Sequence, residues 1–443
     1  MGSYIPSTGA QKNEMLAAVQ ADSVAALFAG IPEDVRLKRP LDIPRGMGEQ
    51  GVRRAMGKIA AKNVVFGTVL RGAGAYRHYI PSIVKYVTAK EEFVTAYTPY
   101  QPEISQGVLQ SIFEYQTMIC ALTGMDVSNA SVYDGASAAA EAAAMCREGK
   151  RVRTLVAASA HPDVIATMRT YCEGAGGELA VVPEKDGVTD LAALEAMLDG
   201  TVGSVYIQQP NFYGLIEDAD EAGKLAHAAG AKFIMGVNPI SLAILKTPAA
   251  CGADIAVGEG QPLGMPLSYG GPYLGFMGAK TALMRKLPGR IVGQTTDVDG
   301  KRAFVLTLQA REQHIRREKA SSNICSNEAL CAMTAAVYMA AMGPDGMAEA
   351  ARQCAAKAHY FCDRLCEMGG VRRVHAGEFF HEFVTALPVP TEDVLSALAD
   401  AGILGGLPVE GGILWCVTEA VSREEMDAAA EIVRAACEGG DAR

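Results

Sequence analysis

Three short glycine-rich turns could bind a phosphate group, since backbone N–H groups at the start of a helix hold anions. They lie at residues 72–74 in RGAGAY, 134–137 in YDGAS and 258–260 in VGEGQPLG. An NAD site needs the spacing G-x-G-x-x-G between a strand and a helix, and neither the first nor the last turn completes it. The sequence also lacks a Walker lysine loop and a G-x-S-x-G elbow, so we expect neither NAD binding nor P-loop or serine hydrolysis.

Eleven cysteines and seven histidines are the other residues that could carry chemistry. They form neither C-x-x-C nor H-E-x-x-H, and the nearest cysteines, Cys362 and Cys366, are one helical turn apart. We interpret the cysteines as reduced, buried thiols that pack as small hydrophobic side chains. We therefore expect no metal site.

The composition is that of an ordinary globular protein, with 443 residues, 49% hydrophobic and 20% charged, and a formal net charge of -10. This acidic balance argues against a nucleic-acid-binding protein, which needs basic side chains to contact phosphates. No apolar run is long enough to span a membrane, and the first residues lack the basic flank and apolar core of a signal peptide. We expect a cytoplasmic protein that binds neither nucleic acid nor membranes.

Strands and helices alternate from about residue 150, which is typical of β-α-β units and a mostly parallel sheet with both faces covered. The predicted strands are residues 153–159, 178–183, 204–210, 232–238, 253–259 and 273–279. A sheet of this class binds ligands at the carboxyl ends of its strands.

Helical segments flank this α/β region. Apolar spacing predicts short helices over residues 21–32 and 49–63, and Ser105 is the predicted N-cap of a helix that ends at Gly124. Ser326 is the predicted cap of a long apolar helix. The predicted domains are an N-terminal helical arm (1–65), a large α/β domain (66–315) and a linking helix with a small α+β domain (316–443).

Several long motifs carry a resemblance to a known family. RGAGAYRHYIP, TAYTPYQPEISQG, YDGASAAAEAA, SYGGPYLGFM and REQHIRREKASSNICSNEAL resemble the P-protein family of the glycine cleavage system, specifically subunit 1 of the two-subunit glycine dehydrogenase (decarboxylating). The resemblance runs from about residue 3 to residue 435. It implies a fold-type I pyridoxal-phosphate transferase-like fold, which agrees with the predicted arm, large sheet domain and small C-terminal domain.

The resemblance also assigns two positions at which a pyridoxal enzyme needs particular residues. Catalytic subunits of the family carry the Schiff-base lysine after a late strand, and that position here is Gln261, which cannot form an imine. The acid that contacts the pyridine nitrogen corresponds to Met235, which cannot hold a charge. We therefore expect that this chain alone is inactive and does not bind pyridoxal phosphate productively.

The turn of Asp134, Gly135, Ala136 and Ser137 corresponds to the cofactor's phosphate cradle. Asp134 would repel a phosphate, and Ser137 offers no aromatic ring for stacking. A vestigial cradle and an ordinary helix cap at Asp134 or Ser137 both fit this turn.

The resemblance implies the partners. Pyridoxal phosphate is expected on glycine dehydrogenase subunit 2, with which this chain forms a heteromer. Together the subunits would decarboxylate glycine and pass the aminomethyl group to the lipoyl arm of H-protein.

Two polar clusters could be lent to the partner's active site. The first contains Tyr97, Thr98, Tyr100 and Gln101, and its alternative role is to pack the chain against its own domain. The second contains Ser321, Ser322 and Asn323, and its alternative role is helix capping.

Two other functions stay open on the sequence alone. One is a standalone pyridoxal transferase that uses Lys246 or Lys280, and the other is a purely structural partner subunit.

Overall fold

A computed structural model describes residues 6–94, 98–308, 313–320, 322–324 and 328–440. The chain divides into two compact units, Met1–Val65 and Phe66–Arg443. Within the described residues, no helix is long and apolar enough to cross a membrane.

The first unit contains two helices, α1 (Gly9–Ala18) and α2 (Glu49–Ala60). The helix predicted over residues 21–32 is wrong in extent, because only a 3-10 turn, Val24–Phe28, forms there. No residue from 6 to 65 is buried, although many of them are apolar. This unit therefore has no hydrophobic core of its own.

The second unit contains the remaining helices and all the described strands. Its helices are α3 (Ser82–Thr88), α4 (Pro102–Thr123), α5 (Gly135–Met145), α6 (Pro162–Gly174), α7 (Leu191–Met197), α8 (Ala219–Ala228), α9 (Gln313–Arg316), α10 (Ala329–Cys366), α11 (Thr391–Asp400) and α12 (Arg423–Gly440). Its strands are β1 (Thr68–Val69), β2 (Val127–Ser128), β3 (Arg153–Ala157), β4 (Glu178–Val182), β5 (Glu184–Lys185), β6 (Val188–Thr189), β7 (Val202–Gln209), β8 (Lys232–Val237), β9 (Ile255–Glu259), β10 (Gly275–Ala279), β11 (Ile291–Thr296), β12 (Arg302–Thr307), β13 (Arg372–Arg373), β14 (Glu382–Ala386), β15 (Ile403–Leu404), β16 (Leu407–Val409) and β17 (Gly412–Cys416). Short 3-10 turns occur at Glu91–Phe93, Ser241–Ala243, Thr281–Lys286 and Arg317–Lys319.

A seven-stranded sheet in the order β2-β10-β9-β8-β7-β3-β4 forms the centre of this unit. The five strands from β9 to β4 run parallel, whereas β10 runs antiparallel to both of its neighbours, β9 and β2. Apolar clusters cover both faces, so the central strands are buried on both sides, as in other mostly parallel sheets. The parallel strands bring their carboxyl ends to one edge.

The helix predicted to begin at Ser105 starts earlier. Its first residue is Pro102, whose fixed φ suits a first helical position, and Ser105 lies inside α4 at a kink with φ -121°. The predicted stop is confirmed, because Gly124 adopts a left-handed conformation with φ 74°.

A four-stranded sheet in the order β13-β14-β17-β16 packs with α10, α11 and α12 around the buried Trp415. Helix α10 is divided into two helical segments by a kink at Gly343, which has a non-helical φ of 63° and is followed by Pro344. Its predicted cap, Ser326, lies outside the described residues. The predicted division between a large and a small domain near residue 315 stays a prediction.

Candidate active site

A cavity of about 400 Å³ opens at the carboxyl ends of β7, β8 and β9, where α/β sheets bind ligands. The amino end of α5 and residues 73–76 close its sides. Among the described residues that line it are four carboxylates and no lysine or arginine, so its charge is unsuited to a phosphate group. The charged and polar side chains in the lining include Asp134, His161, Asp163, Gln208, Asn238, Glu259, His381 and Glu382.

Gln261 follows β9 and is 1% exposed. Its side-chain nitrogen donates to the backbone oxygens of Tyr76 at 2.9 Å and Met265 at 2.7 Å, and its side-chain oxygen accepts from the Tyr76 N–H at 2.8 Å. Both amide hydrogens and the amide oxygen are therefore used within the protein. The residue at the lysine position joins the loop around Tyr76 to the turn after β9, and it is not part of the cavity lining.

Met235 lies in β8 opposite Ile207 of β7 and is fully buried in the apolar core. It does not line the cavity. The neighbouring Gly236 lies directly against the hydroxyl of Tyr206, so that a Cβ atom at Gly236 would collide with it. Tyr206 does line the cavity, and burial raises the pKa of its hydroxyl. The position assigned to the pyridine acid thus holds a thioether in the core.

The amino end of α5 is occupied by the protein's own carboxylates. Asp134 is the N-cap and accepts from the Ser137 N–H at 2.7 Å, while the Gly135 N–H donates to Glu259 at 3.0 Å. The other oxygen of Glu259 accepts from the N–H groups of Gln261 at 2.9 Å and Leu274 at 3.0 Å. Burial raises the pKa of Glu259, although these three donors oppose that shift. An incoming phosphate would have to displace one carboxylate and approach another, so the turn does not fit pyridoxal phosphate.

Glu382, at the start of β14, closes another side of the cavity. It accepts from the Ala73 N–H at 2.6 Å and from the Tyr76 hydroxyl at 2.8 Å. Burial raises its pKa to about 7 despite these bonds. Burial, together with the nearby His78, lowers the pKa of His381 to about 3, so His381 is a neutral ring at physiological pH.

Comparison with known proteins identifies the family of this chain. Residues 2–433 match the family described as glycine cleavage system P-protein. The chain belongs to the P-protein family. The resemblance found in the sequence motifs is thereby confirmed.

Relatives in the P-protein family match along almost their whole length. The chain is 53% identical to the probable glycine dehydrogenase (decarboxylating) subunit 1 of Moorella thermoacetica, covering 97% of this chain and 99% of that protein. It is 48% identical to the protein of the same name from Desulfitobacterium hafniense, covering 96% of this chain and 97% of that protein.

Solved structures agree with the family assignment. A crystal structure of glycine decarboxylase (P-protein) of the glycine cleavage system, in inhibitor-bound form, superposes with a TM-score of 0.91 at 44% identity, covering 98% of this chain and 100% of that chain. A Burkholderia pseudomallei sphingosine-1-phosphate lyase superposes with a TM-score of 0.68 at 14% identity, covering 92% and 94%, and so shares the fold alone. The predicted fold-type I pyridoxal-phosphate transferase-like class is confirmed.

A second polar cluster fixes the loop that borders the P-protein cavity to the C-terminal region. His78 Nδ1 lies 2.7 Å from a Glu419 oxygen, and the same oxygen accepts from the Cys354 thiol at 3.2 Å. Burial raises the pKa of Glu419, but its hydrogen bond to and electrostatic interaction with His78 outweigh burial and lower the pKa to about 2. The imidazole nitrogen, the thiol sulfur and the carboxylate oxygen of these three residues could each bind a metal ion, and they lie within 4.8 Å of one another. In this structure they are hydrogen-bonded to each other. The long sequence separation of the three residues explains why sequence reasoning missed them.

The first cluster predicted to reach a partner is only partly described, since Tyr97 lies outside the described residues. Tyr100 is 54% exposed, and its hydroxyl accepts from Arg290 at 2.7 Å, with the guanidinium 4.7 Å from the ring centre. The Thr98 backbone oxygen accepts from the Tyr100 N–H at 2.8 Å, and Gln101 is exposed at the start of α4. Tyr100 thus contacts its own domain on one side and solvent on the other.

The second predicted cluster is also partly described, because Ser321 lies outside the described residues. The hydroxyl of Ser322 donates to the buried Glu141 of α5 at 2.8 Å, and Asn323 is exposed. Burial raises the pKa of Glu141 to about 7, although the Ser322 hydroxyl opposes the shift. Ser322 is therefore directed into its own domain.

The two lysines that a standalone pyridoxal enzyme could use lie away from the cavity lining. Lys246 pairs with Asp220 at 2.5 Å, and Lys280 pairs with Asp254 at 3.1 Å. Each ammonium group is therefore engaged by a carboxylate of its own domain.

Proposed function

We propose that this chain is the subunit of a heteromeric glycine dehydrogenase (decarboxylating) that does not anchor pyridoxal phosphate. Gln261 carries the proposal, because an amide with all its hydrogen bonds made to backbone groups stands at the lysine position of the family. The carboxylate of Glu259 at the amino end of α5 and the buried Met235 support the same conclusion. The cofactor belongs on subunit 2.

The two subunits together decarboxylate glycine. Carbon dioxide leaves, and the remaining aminomethyl group goes to one sulfur of the lipoyl disulfide of H-protein while the other sulfur becomes a thiol. The chain described here supplies the second half of the assembly, on which the partner's active site is completed. Its relatives are named as subunit 1, which supports the existence of a partner subunit.

The exposed apolar surface of residues 6–65 supports the need for a partner. Leu27 is 57% exposed, Phe28 53% and Val65 90%. Large apolar patches on soluble proteins mark interaction surfaces, since their exposure to water is unfavourable. We assign this surface to contact with subunit 2.

Two other functions are less well supported. A standalone pyridoxal enzyme would have to free Lys246 or Lys280 from its carboxylate partner and bring it into the cavity. A purely structural partner would contribute no residue to the active site of subunit 2. Tyr100 and Gln101 are exposed and therefore available for such a contribution, which favours the proposed function.

Absorption spectroscopy and reconstitution test the proposal together. The purified chain mixed with pyridoxal phosphate should give no visible imine band that borohydride abolishes, and subunit 2 should give one. Glycine decarboxylation and aminomethyl transfer to H-protein should appear only when both subunits are mixed. An imine band on the lone chain, or full activity of subunit 2 alone, would overturn the proposal.

A further inference from the structure

The loop between Gln261 and β10 presents an aromatic ring to solvent on a strained backbone. Tyr269 is 98% exposed, more than any other aromatic side chain in the described part of the chain. Ser268 and Tyr269 have φ angles of 44° and 55°, and Gly270 and Gly271 follow with 106° and 144°. Residues other than glycine avoid such positive φ angles because their Cβ atom clashes with the backbone. The strained Tyr269 gains no burial in this chain to offset its cost.

Hydrogen bonds within the loop hold this conformation. The Gly270 N–H donates to the Leu267 oxygen at 3.0 Å, and the Tyr273 hydroxyl donates to the same oxygen at 2.9 Å. The Gly271 N–H donates to the Ser268 oxygen at 3.3 Å. The ring of Tyr269 thus projects from a turn that is closed on itself.

Both ends of the loop are joined to the site already described. Gln261 bonds to the Met265 oxygen before the loop, and Glu259 accepts from the Leu274 N–H after it. Tyr273 also lines the cavity. The backbone of the turn that carries Tyr269 is therefore anchored to the carboxyl ends of the sheet strands.

We propose that Tyr269 is an interface anchor that inserts into an apolar pocket of glycine dehydrogenase subunit 2. A rigid tyrosine loses little conformational freedom on binding and buries a large apolar area, which makes such residues frequent hot spots of interfaces. The exposed tip, residues 266–273, has no charged side chain, so its complement is a pocket that is apolar apart from an acceptor or donor for the phenol. This inference rests on the proposed function, because it names subunit 2 as the occupant.

Association of the full chain with subunit 2 tests the inference. Tyr269→Ala should raise the Kd at least tenfold, while Tyr269→Phe, which keeps the ring, should stay within about threefold of wild type. Tyr269→Gly should weaken association like alanine, while the melting temperature of the lone chain stays equal or rises, because glycine relieves the strain. Val298→Ala is a matched control, since Val298 is fully exposed in the turn between β11 and β12.

The outcomes separate this inference from the proposed function. If wild type does not bind subunit 2, both fail. If wild type binds and Tyr269→Ala binds equally well, only the anchor role is overturned. If Tyr269→Ala abolishes self-association but leaves binding to subunit 2 unchanged, the assignment of the pocket to subunit 2 is wrong.

Discussion

Two regions of the molecule differ in how their side chains are accommodated. They are the cavity at the carboxyl ends of the strands and the surface of residues 6–65. In and around the cavity, Gln261, Glu259 and Glu382 make their hydrogen bonds to groups of the same chain. Residues 6–65 instead leave apolar side chains such as Leu27 and Phe28 exposed to water. The difference teaches that the polar groups around the cavity stabilise this chain from within, whereas residues 6–65 leave apolar surface exposed to water.

Gln261→Glu should have the largest effect on stability. The substitution keeps the shape but replaces two donated hydrogen bonds with repulsion between a buried carboxylate and the backbone oxygens of Tyr76 and Met265. We expect the free energy of unfolding at pH 8 to fall by about 3 kcal/mol or more, the range for an uncompensated buried charge. Urea denaturation measures this.

The matched control for this change is Gln294→Glu on β11, where the side chain is exposed. It should alter the unfolding free energy by less than about 0.5 kcal/mol. A loss of the same small size at Gln261 would show that the hydrogen bonds of Gln261 to Tyr76 and Met265 contribute little to stability.

Glu382→Gln should change how stability depends on pH. The folded pKa of Glu382 is raised from 4.5 to about 7. Between these values the unfolded chain releases a proton that the folded chain keeps, so this group's contribution to stability is lost as pH rises towards 7. From pH 5.5 to pH 8, wild type should lose about 2 kcal/mol more than the variant, in urea titrations at both pH values.

The variant Glu382→Gln also has a built-in control. At pH 5.5 the folded glutamic acid is already neutral, so the amide should cost little there. Equal differences between wild type and variant at both pH values would mean that Glu382 titrates near its ordinary pKa.

A double substitution in the N-terminal unit, Leu27→Ser with Phe28→Ser, should affect binding rather than folding. Both side chains are more than half exposed, so the melting temperature of the lone chain should not change. Association with subunit 2 should weaken at least tenfold, about 1.4 kcal/mol, as measured by calorimetry. Gln50→Ser, at an exposed polar position of α2, should leave both properties unchanged. If the double variant binds subunit 2 as tightly as wild type, this surface is not part of the interface.

The sequence predicted the sheet for definable reasons. Strands β7 and β8 each contain a short apolar run, residues 205–207 and 233–235, and the alternation of such runs with helical segments is readable without tertiary information. Gln261 and Met235 were assigned to the lysine and acid positions through the resemblance to the family, and these assignments stay predictions. The start of α4 was misplaced because Ser105 is a good capping residue, whereas Pro102 and the kink depend on the fold.

The hydrogen-bond partners in the cavity could not be read from the sequence. Glu382 and Glu419 meet the loop around Tyr76 and His78 across more than 300 residues of chain, and no local pattern marks such contacts. Glu259 had a readable signal, because it is a charged residue at the end of a buried strand next to a glycine turn. Its hydrogen bond to the amino end of α5 depends on how β9 and α5 pack together, which no local pattern reveals.

Ser322→Ala gives the smallest effect and tests whether a segment predicted to reach the partner is tied inward instead. The Ser322 hydroxyl donates to Glu141, whose pKa burial raises to about 7. Removing this donor withdraws a bond that favours the ionised carboxylate, so the loss of unfolding free energy should be about 1–2 kcal/mol at pH 8 and smaller at pH 5.5, where Glu141 is protonated. Ser111→Ala in α4, whose hydroxyl donates to the Val108 backbone oxygen at 2.8 Å, should give a loss that does not vary with pH. A pH-independent loss at Ser322 as well would show that the segment is not held by Glu141, and it would place this segment with the outward-facing surfaces of the molecule.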